Sequence, residues 1–78
     1  MPHVLVKLWP GESEARKKRL ADAITRNIME ILDLGEESVS VSMQEIAARD
    51  WAEQVYKAEI LRHPEQLYKK PGYNLKDL

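Results

Sequence analysis

The chain has 78 residues, 12 basic and 13 acidic side chains, a net charge of −1 and no cysteine. That gives room for one domain, 1–78, excludes disulfides and thiolate metal sites, and offers no global attraction to nucleic acid or an anionic membrane. A domain this small buries only about 60–65% of the surface its unfolded chain exposes, so it ordinarily needs disulfides, a metal or a partner subunit.

His3 and His63 lie at opposite ends with no ligand spacing around either, so no structural metal is expected and self-association is. No stretch approaches the roughly 18 apolar residues of a membrane span, and no charged-then-apolar signal opens the chain. With the absence of cysteine, these features fit the cytoplasm.

From His3 to Trp9 the sequence reads HVLVKLW, with Val4, Val6 and Leu8 on one face and His3, Leu5, Lys7 and Trp9 on the other. This period of two predicts a strand. Pro10 and Gly11 break it, Ser13 is a good helix N-cap, and Glu14 sits where the helix dipole favours an anion. Leu20, Ile24, Ile28, Ile31 and Leu32 then recur at threes and fours, predicting a helix to about Asp33 with Gly35 as its stop.

Ser38–Ile46 alternates again, with Val39, Val41 and Met43 against Ser40, Ser42 and Gln44. Two strands joined by a long helix form a β-α-β unit with parallel strands and a right-handed crossover. Two strands alone are too few for a stable sheet, and the mixed face bearing Leu5, Trp9 and Ile46 invites a second copy. The remainder is less regular. Asp50 is a candidate cap for a short helix containing Trp51, Ala52, Val55 and Tyr56. Pro64 is a candidate start for another, with Leu67 and Tyr68 inward and a turn at Pro71-Gly72.

Among side chains that carry chemistry, the run Arg16–Arg19 reads as a solvated helix face, since Glu12, Glu14 and Asp22 accompany it. His3 reads as structural or solvent-facing, with assistance to proton transfer as its alternative. His63 reads as a loop residue. Packing explains Trp51, and the wall of a pocket for an aromatic or unsaturated ligand is its alternative reading. Tyr56, Tyr68 and Tyr73 read as structural.

Pro2 poses the sharpest question. With Met1 attached it is an ordinary tertiary amide that suits a strand start. With Met1 removed it is a secondary amine whose reference pKa is near that of an α-amino group, about 7.7–8.0. An apolar pocket lowers such a pKa towards the operating pH, where a general base works best.

The second-position proline in PHVLVKLWPGES, the β-α-β order, Trp51 after the second strand and the closing DWAEQVY…LYKKPGY resemble the tautomerase superfamily. The resemblance covers nearly the whole chain and is to the 4-oxalocrotonate tautomerase-like group, in particular its longer-chain PptA-type members. It implies an α+β fold in which each β-α-β unit, a ferredoxin-like half, dimerises into a four-stranded sheet backed by two helices. It implies removal of Met1, no cofactor, and a Pro2 nitrogen that moves a proton between oxygen and carbon of a small enol. Trp51 then corresponds to the pocket aromatic.

Two pocket arginines of the dicarboxylate-specific members fall on Glu12 and Ser40 here. Neither residue can form the bidentate fork that an arginine offers a carboxylate. The resemblance therefore implies an aryl or monocarboxylate enol, of the phenylenolpyruvate kind, held by apolar contacts, by Ser40 and by a single cation, for which Lys7 and Arg49 are the candidates. The longer tail implies a homodimer rather than a hexamer. Two other readings stay open. One is hydration or dehalogenation of unsaturated acids, with Glu12 or Glu45 activating water. The other is a non-catalytic dimeric binding domain in which Met1 stays and Pro2 only starts a strand.

Overall fold

The structure, a computed structural model, describes all residues 1–78. Strand β1 (His3–Leu8) leads into helix α1 (Glu14–Leu32), and a short 3-10 turn at Glu36–Ser38 precedes strand β2 (Ser40–Glu45). The strands pair in parallel, His3 opposite Ser40 through Leu8 opposite Glu45, as a β-α-β connection requires. Val4 and Val6 are half-buried while His3 and Leu5 are exposed, so the alternation read from the sequence holds as far as Val6, and beyond it Lys7 and Leu8 are both half-buried. Gly11 turns the chain between β1 and α1 with φ 116°, a left-handed value that costs glycine little.

Helix α1 starts where its cap dictates. Ser13 is extended, and its Oγ accepts the Arg16 N–H at 3.1 Å. Its end differs from expectation. Asp33, not Gly35, takes the left-handed conformation (φ 56°), and the Leu34 N–H returns to the Met29 carbonyl at 3.2 Å. That is the bonding of a Schellman stop, and aspartate tolerates its geometry better than most non-glycine residues. Gly35 instead leads into the following 3-10 turn.

The chain divides into two compact units, Met1–Glu45 and Ile46–Leu78. No residue of α1 is buried, and Ile31 is 79% exposed although it lies on the apolar face. The buried apolar residues are Ile46, Val55 and Tyr56, all in the second unit. Ile46 corrects the sequence reading, which put it on an outward sheet face. Strand β2 ends at Glu45, so the alternation no longer governs the next side chain.

In the second unit a 3-10 turn (Ala48–Asp50) runs into a ten-residue π-helix (Ala52–Leu61). Asp50 lies within that turn and Trp51 caps the π-helix without a side-chain bond, so the expected Asp50 cap is absent. The apolar spacing accounts for the wider winding. Trp51, Val55, Tyr56 and Ile60 recur at fours and fives rather than threes and fours, and an i→i+5 helix stacks such positions. Pro64 opens only a three-residue 3-10 turn, Pro64–Gln66, after which Leu67 is extended. Leu67 is half-buried, but Tyr68 is 97% exposed because the helical phase that would carry it inward has ended. The chain bends at Gly72, and Asn74 caps a last short turn, Leu75–Asp77, with a reciprocal capping box.

Candidate active site

Pro2 sits immediately before β1, half-buried, and its carbonyl accepts the Ser40 N–H at 3.2 Å. A proline can take this place because the ladder asks only for its carbonyl. The same Ser40 holds the next residue through its side chain, with Oγ 2.7 Å from His3 Nδ1. Ser42 Oγ makes a longer contact, 3.4 Å, with His3 Nε2. These side chains meet because parallel partners project from the same face and Ser42 is the diagonal neighbour two residues on. Of the residues singled out from the sequence, Pro2 and Ser40 are thus brought together.

Lys7 is not beside them. It pairs with Gln44 near the far end of β1, and five residues of strand place it about 16 Å from Pro2 along the chain. Glu12 forms an ion pair with Arg16 at 3.0 Å. Lys17 departs from the solvated reading of its basic run. Its side chain is only 15% exposed, with Nζ 2.7 Å from Glu14 and 3.6 Å from Glu45. The hydrogen bond to Glu14, with the charges of Glu14 and Glu45, raises the Lys17 pKa above the usual lysine value against a smaller opposing effect of desolvation.

In the second unit Arg49 is exposed on its 3-10 turn, two residues before Trp51. The Trp51 indole Nε1–H donates to the Tyr73 hydroxyl at 2.9 Å, and the Tyr73 ring lies 5.7 Å from that of Tyr56, tilted by 47°. The indole is therefore fixed by a polar handle at one edge. The His3–Ser40–Ser42 cluster went unseen as a unit in the sequence. The signal for it was the phase of the two strands, which puts His3 and both serines on one face once the strands are taken as parallel.

The site is built on a small β-α-β arrangement with a proline at the head of its first strand. A model described as tautomerase enzyme matches residues 2–57, starting at Pro2 itself, and the chain belongs to the tautomerase family. It is similar to a probable tautomerase of Xylella fastidiosa (strain 9a5c), 40% identical over 73 residues that cover 94% of this chain and 89% of the relative. It is also 38% identical to tautomerase PptA of Cronobacter sakazakii over 76 residues, covering 96% of this chain and all of the relative.

Among solved structures, one from a study of the 4-oxalocrotonate tautomerase isozymes of Methylibium petroleiphilum matches with TM-score 0.60 and 23% identity, over 62% of this chain and 75% of that one. A second, YwhB, a homologue of 4-oxalocrotonate tautomerase, matches with TM-score 0.57 and 22% identity over 99% of this chain and 98% of that one. The fold is that of the 4-oxalocrotonate tautomerases and the chain is a tautomerase. No helix is long and apolar enough to cross a membrane.

Proposed function

We propose that this enzyme ketonises small aryl or monocarboxylate enols, of the phenylenolpyruvate kind, in the cytoplasm, with the Pro2 amine as the single acid and base. Loss of Met1 converts Pro2 from an amide into a secondary amine. The neutral amine takes the enol hydroxyl proton, and the resulting enolate receives that proton back at carbon, leaving the ketone. Atoms balance with no cofactor.

One observation carries the reading: Pro2 is half-buried at the head of β1, held by the Ser40 N–H. An amine tethered at the head of a strand suits this proton transfer, since an apolar pocket lowers an amine's pKa and restricted geometry raises the effective concentration of base. Trp51, fixed through Tyr73, serves as the apolar wall. On the family resemblance, the Ser40 hydroxyl and the cation of Arg49 meet the substrate's polar end, and Lys7, toward the far end of β1, is set aside. A dicarboxylate such as 2-hydroxymuconate is a poor substrate, because Glu12 stands paired to Arg16 and no arginine occupies position 40.

The same ion pairs favour proton transfer over hydration. Glu12 and Glu45, the carboxylates that would activate water, each face a cation. The protein works as a homodimer, which covers the apolar side chains that one copy leaves exposed on α1.

The test compares phenylenolpyruvate ketonisation by protein whose mass shows Met1 gone with protein that retains it. Turnover is expected only in the Met1-free form and is lost in Pro2→Ala. Equal rates in the two forms would remove Pro2 from the chemistry.

A further inference from the structure

We propose that His3, clasped between Ser40 and Ser42, is a positioning residue that fixes the direction of the Pro2 amine; the proposal rests on the reading of Pro2 given above. Chain termini fray unless they are tied down. Once Met1 is gone, Pro2 contributes one backbone bond to the ladder, its carbonyl to the Ser40 N–H at 3.2 Å. It has no N–H to add a second. A ring held by one bond at the end of a strand can swing through far more than the 10–20° that a catalytic group tolerates.

His3 supplies the missing constraint. Its Nδ1 lies 2.7 Å from Ser40 Oγ, and its Nε2 lies 3.4 Å from Ser42 Oγ. Ser40 thus grips two consecutive residues, Pro2 through its backbone and His3 through its hydroxyl. The imidazole is held at Nδ1, with a longer contact at Nε2, which restrains the backbone of His3 and with it the peptide plane from which the proline ring hangs. Serine hydroxyls rotate to donate or accept, so the clasp holds for either tautomer of neutral histidine and also for the imidazolium.

The experiment uses full-length, Met1-free protein and phenylenolpyruvate, with kcat and KM measured separately for His3→Ala, Ser40→Ala, their combination and His3→Asn. His3→Ala is expected to lower kcat about fivefold to thirtyfold with KM within about twofold, the signature of a misdirected amine rather than a lost binding contact. The double variant is expected to lose no more than the worse single one, because both remove the same clasp. His3→Asn keeps a polar atom near the Nδ1 position and is expected to recover most of the rate. His63→Ala, in an exposed loop of the second unit, serves as the unaffected control.

His3→Ala at the native rate would overturn the proposal, as would additive losses or a fall confined to KM. A rate loss matched by a melting point more than about 5 °C lower, with no recovery in His3→Asn, would also overturn it, since that is a fold effect. Met1-retaining protein run in parallel separates the two failures. If it is inactive and His3→Ala is native-like, only the clasp is wrong. If it is as active as the Met1-free form, the amine reading itself fails and the clasp with it.

Discussion

Replacing Tyr73 with phenylalanine isolates one hydrogen bond in the second unit. The substitution removes the hydroxyl that accepts the Trp51 indole N–H at 2.9 Å, in a part-buried setting, and keeps the ring that packs 5.7 Å from Tyr56. A neutral hydrogen bond contributes about 0.5–1.5 kcal/mol net, so a loss near 1 kcal/mol is expected. For a domain of this length that lowers Tm by about 4–8 °C. Tyr73→Ala also removes the half-buried ring and its aromatic contact, and is expected to cost about 2–4 kcal/mol, less than the 3–5 kcal/mol of a fully buried aromatic.

The assay is thermal unfolding by circular dichroism at one fixed protein concentration, because melting of an oligomer depends on it. Tryptophan emission is followed in a Trp9→Phe background, so that Trp51 alone reports. If Trp51 is a substrate wall, Tyr73→Phe also raises KM about threefold to tenfold with kcat little changed, as loss of uniform binding does. Two results would refute the reasoning. One is Tyr73→Phe melting within about 1 °C of native with unchanged Trp51 emission. The other is Tyr73→Phe falling as far as Tyr73→Ala.

Asp33→Gly places the residue suited to left-handed backbone where φ is already 56°, and is expected to raise stability by about 0.5–1 kcal/mol. Denaturant titration checks it, and a loss of stability would show that Asp33 is held there by more than its backbone. Lys17 has its pKa raised, first by the hydrogen bond to Glu14. Its stabilising charge is therefore complete below the usual lysine value of 10.5 and is lost as pH rises through the higher folded value. Native protein should lose stability on that alkaline limb more steeply than Lys17→Met, in melts compared from about pH 9 to about pH 12. Parallel curves would remove Lys17 from the linkage.

Local order was readable in the residues because short-range terms dominate it. Period two sets β1 and the centre of β2, Ser13 sets the start of α1, and the strand-helix-strand order forces parallel pairing. Pro2 at the head of the first strand, Trp51 after the second and the family they point to follow from position in the chain alone.

The ends of elements were decided elsewhere. Asp33 rather than Gly35 stops α1 because the returning Leu34 N–H selects the residue that must turn left-handed. Ile46 is buried and Tyr68 exposed because each lies just past the element whose periodicity would have placed it. Lys17 leaves its basic run to reach Glu45 on β2, a partner that only the packing of α1 against β2 supplies. The His3–Ser40 contact spans 37 residues of sequence. Nothing local to either residue encodes it, and it exists because a parallel register, fixed by the burial of Val4, Val6, Val41 and Met43 on the other face, leaves an imidazole directly opposite a hydroxyl.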